Sequence, residues 1–103
     1  MATRATIKIE GVKYAKVYKH YDGYPSATLE WLKDFNKKFT ENRGEDGAYK
    51  LAQLLRNSAF DGVRYDLDKS EFTGWGVIAY NDSCGEEYEY TLKIDGTVTY
   101  KTI

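Results

Sequence analysis

The residues best suited to chemistry are concentrated in the segment 19–25, KHYDGYP, which holds the only histidine and the only proline of the chain. His20 and Asp22 stand two residues apart with tyrosine hydroxyls beside them, so they could act as a general base and the carboxylate that orients it. The same residue types also suit a turn, with Asp22 bonding backbone amides and His20 bonding a carbonyl or stacking on Tyr18. We favour a structural or binding role, because a short motif is weak support for catalysis.

The backbone signals of this segment predict a rigid corner between a strand and a helix. Asp22-Gly23 is a turn signal in which glycine tolerates positive φ, and Pro25 excludes Tyr24 from the helical region. Side chains on such a corner have little freedom left to lose on binding. The predicted binding residues are therefore those of the corner and of the strand that leads into it: Lys16, Tyr18, His20, Tyr21, Asp22 and Tyr24.

Other reactive residues give weaker signals. Cys84 has three acidic neighbours, Asp82, Glu86 and Glu87, and acidic neighbours raise the pKa of a thiol, so a nucleophilic role is not expected. One histidine, one cysteine and scattered carboxylates show no recognised metal-ligand spacing. The Gly-Trp-Gly run at 74–76 opens a strand pattern and precedes no helix, which is unlike a phosphate-binding loop. We predict no metal and no other cofactor.

Composition limits the classes of protein that fit. The 103 residues suit one domain, and 15 basic against 16 acidic residues leave a net charge of −1, so nucleic acid is not an expected partner. The chain has no apolar run of the roughly 20 residues that a membrane helix needs, and no apolar signal segment near the start. A single cysteine suits a reducing compartment. These features predict a cytoplasmic protein that does not enter a membrane.

Hydrophobic periodicity predicts the elements of the first half. Residues 3–9 and 13–19 alternate between apolar and polar and are joined by Glu10-Gly11, which indicates a β-hairpin. After Pro25, Ser26 is the predicted cap of a helix whose apolar residues continue to Phe39. A second helix follows, with Asp46 as its predicted cap.

The second half predicts strands at 75–80, 87–94 and 97–102, the last two joined by the strong hairpin signal Asp95-Gly96. Together they indicate a three-stranded antiparallel meander, with an additional edge strand near 63–67 as an option. The expected fold is α+β, an antiparallel sheet in the order β-β-α-α-β-β-β with both helices on one face. An unprotected terminal strand at the sheet edge would favour a homodimer.

Two interpretations of the face formed by Tyr14, Lys16, Tyr18 and His20 stay open at this point. If the helices cover the opposite side, that of Ala15 and Val17, this face is wet, and its rings and cations could stack bases and contact phosphates. If the helices cover this side, the tyrosines belong to the core. Interleaved tyrosine and lysine on a small sheet is also common without any ligand.

The opening strand TRATI at 3–7 and the segment VYKHYDGYP at 17–25 resemble a group of small bacteriophage and prophage proteins. In that group a Thr-Arg-(Ala/Ser) strand precedes a similar His-x-Asp-Gly-Tyr-Pro corner and a helix. The strand that contains Tyr88 and Tyr90 resembles the group more weakly. The resemblance implies a viral origin with early or accessory expression, and it carries no established catalytic residues that could be transferred to this chain.

These features lead us to expect a non-enzymatic phage protein that blocks or sequesters a component of the host cell, in the host cytoplasm. The expected partner is a host defence protein, as for an anti-CRISPR inhibitor, or a small nucleotide signal of an immune pathway. The alternative is a small nucleotide-binding protein or enzyme that uses His20, Asp22 and Tyr24.

Overall fold

The computed structural model describes residues 3–57 and 74–103, which form a five-stranded sheet and two helices. The α+β class and the order β-β-α-α-β-β-β are confirmed. The optional strand near 63–67 lies outside the described residues. The elements are β1 (Ala5–Ile9), β2 (Ala15–Lys19), α1 (Pro25–Arg43), α2 (Gly47–Asn57), β3 (Trp75–Ala79), β4 (Tyr88–Leu92) and β5 (Val98–Thr102).

The sheet is mixed, whereas the sequence predicted a wholly antiparallel one. Its strand order is β3-β2-β1-β4-β5, and β1 pairs in parallel with β4 from Ala5 opposite Tyr88 to Ile9 opposite Leu92. The two predicted hairpins, β1–β2 and β4–β5, do form. The predicted meander does not, because β3 pairs with β2 at the far edge. Turn signals fix the pairing of adjacent strands, whereas pairing between distant strands depends on how their side chains pack.

The connection from β3 to β4 crosses the sheet face that lies opposite the helices. Because β3 and β4 both run parallel to β1, the chain must return from the end of β3 to the start of β4, over the length of a strand. At one end of this path Lys8 lies 4.7 Å from the centre of the Tyr80 ring, and at the other Arg4 donates to the Cys84 carbonyl at 3.4 Å. Because Arg4 and Lys8 alternate with the core residues of β1, the crossing lies on the outer face.

The core lies between the sheet and the helices. Alternate residues of β1, β2 and β4 form its floor, and Leu32 of α1 and Leu54 of α2 close it from above. The floor consists of Ala5, Ile7, Ile9, Val17, Tyr90 and Leu92, all of them buried. The helices therefore cover the Ala15 and Val17 side of β2, which is the first of the two arrangements considered from the sequence.

Of the two predicted helix caps, Ser26 is wrong and Asp46 is confirmed. Helix α1 begins at Pro25 with Tyr24 in extended backbone as its N-cap, so the predicted cap, Ser26, lies inside the first turn. Proline takes the first helical position because its φ is already helical and its missing N–H has no partner to lose there. Asp46 is confirmed as a cap, since its carboxylate accepts from the Tyr49 N–H at 3.3 Å. Neither α1 nor α2 is long and apolar enough to cross a bilayer.

Candidate functional site

Three hydrogen bonds fix the backbone of the corner. The Gly23 N–H donates to the Thr3 carbonyl at 2.8 Å, and the Tyr90 hydroxyl donates to the Gly23 carbonyl at 2.6 Å. The Thr28 hydroxyl of α1 donates to the Asp22 carbonyl at 2.7 Å. The corner is thus tied to the segment just before β1, to the core of the sheet and to the helix after it, as a preorganised corner requires.

The strained residue of the corner is Asp22, not Gly23. Asp22 has φ 54°, in the left-handed region, whereas Gly23 does not have a positive φ. Aspartate is among the few non-glycine residues that adopt this region readily. Glycine is needed at 23 for space, since a Cβ there would lie 2.7 Å from the Ala5 Cβ and 2.8 Å from the Thr3 carbonyl oxygen.

His20 has a cation as its partner. Its Nδ1 accepts from Arg4 Nε at 3.4 Å, and its ring meets that of Tyr21 edge-on at 4.4 Å. Within the described parts of the chain, the Asp22 carboxylate has no hydrogen bond or ion pair with His20 or any other residue. The arrangement does not align His20 and Asp22 as a base and its orienting acid.

The corner presents three side chains to solvent. Tyr21 is 51% exposed and Tyr24 is 39% exposed, and Asp22 between them is exposed as well. The Tyr24 backbone is fixed by its carbonyl, which accepts from the N–H groups of Ala27 and Thr28 at 3.1 Å each. Two phenol rings and a carboxylate therefore project from a backbone that has little freedom.

The other two predicted residues do not join this exposed group. Lys16 is only 5% exposed, and the Tyr18 ring lies against Gly76, which leaves no room for a side chain there. The wet face of the first interpretation is not formed at Lys16, because the connection between β3 and β4 lies on this side of the sheet. Tyr14, at 63% exposure, stays open to solvent away from the corner, before the start of β2.

A second surface, which sequence reasoning missed, lies between the helices. Trp31, Phe35 and Phe39 of α1 form a row with ring centres 6.1 Å apart, and Tyr49 of α2 continues it at 5.8 Å. These four residues line a groove of about 440 Å³, which we call the aromatic groove. The sequence signal is the spacing of aromatic residues at i, i+4 and i+8, which also suits an ordinary core-facing helix.

Cations lie against two rings of the aromatic groove. The Arg43 guanidinium is 4.1 Å from the centre of the Tyr49 ring, and the Lys50 ammonium is 5.4 Å from that of Phe39. Burial lowers the pKa of Lys50, and the charge of Glu10 partly offsets this effect. Of these two cations only Arg43 lines the groove, since Lys50 is buried. Stacked rings beside a guanidinium are suited to a planar aromatic ligand.

The loop cysteine is held in an acidic setting. The Cys84 N–H donates to Glu86 Oε2 at 2.9 Å, and Sγ lies 3.6 Å from the same oxygen. Burial and the Glu86 charge raise the pKa of the Cys84 thiol, with a smaller opposing effect from Arg4. Of the acidic neighbours in the sequence, Glu86 contributes to this rise in pKa, and burial contributes more, so the thiol is poorly suited to act as a nucleophile.

Metal ligands and known relatives give no further guide to the site. In residues 3–57 and 74–103, no three or more histidine, cysteine or acidic side chains are grouped closely enough to hold a metal ion. Comparison with protein-family models, curated proteins and solved structures found no match to this chain.

Proposed function

We propose that this chain is a phage-encoded, non-enzymatic binding protein that blocks or sequesters a component of a bacterial defence system in the host cytoplasm. The observation that carries this proposal is the corner, where three hydrogen bonds fix the backbone beneath the exposed Tyr21, Asp22 and Tyr24. The viral context comes from the sequence resemblance, and CRISPR and nucleotide-signalled immunity are the kinds of system that such a protein would block.

Preorganisation is what makes this corner a good anchor. A binding surface loses affinity when loops and side chains must be ordered on contact, at about 0.5–1.5 kcal/mol for each immobilised side chain. Here the backbone on both sides of Asp22 is already fixed, and the Tyr21 ring is packed against that of His20. Tyrosine is also enriched among the interface residues that contribute most to affinity.

The chemistry of the corner defines the complementary surface. The Asp22 carboxylate is exposed between two half-exposed phenols, and no cation in the described chain neutralises it. A partner that offers an arginine or lysine beside an apolar patch would pair with the carboxylate and cover both rings. We therefore propose a host protein with a basic and apolar patch as the partner.

The test compares what corner variants capture from bacterial cells that express the tagged chain. Tyr24→Ala, His20→Ala and Asp22→Asn should each lose the captured host protein, with losses of about 30-fold or more at an anchor residue. Asp22→Asn is the sharpest variant, because asparagine keeps the left-handed backbone and removes only the charge.

The matched control is Tyr14→Ala, which removes an exposed tyrosine outside the corner. Tyr14→Ala should retain capture, and all of these variants should keep a melting temperature close to that of the unmodified chain. Equal capture by corner variants and control would contradict the proposal. So would unfolding of Tyr24→Ala together with full binding by His20→Ala, since the corner would then be structural.

A second candidate function is sequestration of a small nucleotide signal, and the aromatic groove is the observation that favours it. Rings of this kind stack on nucleobases, with about 1–3 kcal/mol for each stacked base. A panel of cyclic and linear nucleotides should then raise the melting temperature, and Phe35→Ala should abolish the rise while Tyr24→Ala should not. No rise with any nucleotide would remove this candidate and leave the first one standing.

A further inference from the structure

Strand β5 is an edge strand whose outer backbone groups are unpaired within the described residues. It pairs with β4 alone, and the ladder continues at both ends, where Ile103 N–H donates to the Glu87 carbonyl and Lys93 N–H donates to the Thr97 carbonyl, each at 2.8 Å. Bonding residues alternate along an antiparallel strand, so the residues between the inward-bonded ones direct their N–H and C=O groups outward. These outward residues are Val98, Tyr100 and Thr102.

The β5 edge has few of the features that prevent an edge strand from pairing with another chain. Residues 98–102 contain no proline and no glycine, and their pairing with β4 runs without a bulge. Their one charge, Lys101, is paired with Glu89 of β4 at 3.7 Å. Tyr100 in the middle of β5 is 46% exposed. Helix α1 contacts the turn that precedes β5, where Asn36 Nδ2 donates to the Thr97 carbonyl. An open, regular edge of this kind pairs readily with another strand.

We propose that two copies of this chain pair through β5, antiparallel, about a two-fold axis at Tyr100. In this register Val98 faces the partner's Thr102, and every outward N–H and C=O of the strand gains a bond. The two Tyr100 rings become neighbours on the helix side of one continuous sheet. The inference concerns an interface away from the corner and does not rest on the proposed function.

Charge disfavours the neighbouring register whose axis lies at Lys101. Centred on Tyr100, the pairing sets Lys101 opposite the partner's Thr99, so no like charges face each other. A shift of the axis to Lys101 would oppose the two lysines and shorten the overlap, and like charges directly opposite on a sheet are destabilising. A second copy is thus a complementary occupant of this edge.

The register is tested by placing opposite charges at position 99. In the proposed dimer Thr99 faces the partner's Lys101 twice, once on each side of the axis, whereas within one copy it faces Thr91. Thr99→Glu should lower the dimer dissociation constant by about 2- to 30-fold, and Thr99→Lys should raise it by a similar factor. Sedimentation equilibrium measures both, with circular dichroism to verify that each variant is folded.

Two proline variants test the edge itself. Thr102→Pro removes an outward N–H, so the monomer should keep its fold and the dimer should be lost. Lys101→Pro is the matched control, because it removes an inward N–H that bonds β4 and should lower the melting temperature.

Three results would overturn the proposal. They are a monomer at high micromolar concentration for the unmodified chain, a dimer retained by folded Thr102→Pro, and shifts of the same sign for the two substitutions at Thr99.

Discussion

Replacing Gly23 by alanine tests why the corner needs glycine. A Cβ at this position would lie 2.7 Å from the Ala5 Cβ, 2.8 Å from the Thr3 carbonyl oxygen and 3.0 Å from the Ala5 nitrogen. Two of these atoms belong to the backbone at and just before β1, so they cannot move aside as a flexible side chain could. We therefore expect Gly23→Ala to force the corner away from the sheet.

The sign of the effect distinguishes close packing from free space. Overpacking costs about 1–3 kcal/mol, and loss of the bond from Gly23 N–H to the Thr3 carbonyl adds about 1 kcal/mol, so unfolding should become easier by roughly 2–4 kcal/mol. If position 23 had room for a methyl group, alanine would instead stabilise the fold by about 0.4–1 kcal/mol, through reduced freedom of the unfolded chain.

Urea denaturation followed by circular dichroism measures this free energy, with Gly11→Ala as the matched control. Gly11 has φ 91° and nothing within 4 Å of an added Cβ, so its substitution should cost only the backbone strain, about 1–2 kcal/mol. In an Ala5→Gly background the shortest contact of Gly23→Ala is gone, and its cost should fall by about 1 kcal/mol. An unchanged or raised stability of Gly23→Ala would refute the packing argument, and the same cost in both backgrounds would assign the cost to the two backbone contacts alone.

Two further predictions concern the helix α1 contact and the loop thiol. Asn36 is fully buried and donates to the Lys93 and Thr97 carbonyls at 2.9 and 2.8 Å. Asn36→Leu removes both bonds and should lower the free energy of unfolding by about 1–3 kcal/mol, as measured by urea denaturation. A loss below about 0.5 kcal/mol would contradict this. Burial and the Glu86 charge raise the pKa of the Cys84 thiol, and Glu86→Gln removes the second of these effects. The substitution should increase the thiolate fraction at a given pH and move the profile of alkylation rate with iodoacetamide to lower pH, and an upward shift would contradict this.

The local features of the fold could be predicted from the sequence, because they depend on residues close together in the chain. Alternation of apolar residues placed β1 and β2, helical spacing placed α1, and the Asp95-Gly96 pair fixed the β4–β5 hairpin. The rigid corner was also expected, since Pro25 restricts its neighbour whatever the rest of the fold does. One detail of the corner differs from the prediction: the residue with positive φ is Asp22, and Gly23 is required because it packs against Ala5 of β1.

Only the tertiary structure decided which faces are open. The parallel pairing of β1 with β4 joins segments about eighty residues apart, and no turn signal reaches that far. That pairing sends the β3–β4 connection across the outer face of the sheet, where Lys16 is buried although its alternation suggested exposure. It also leaves β5 at the edge. The exposure of a side chain depends on which segments pack against it. A local sequence pattern can therefore predict which face of the sheet a side chain lies on, but not whether another segment buries that face.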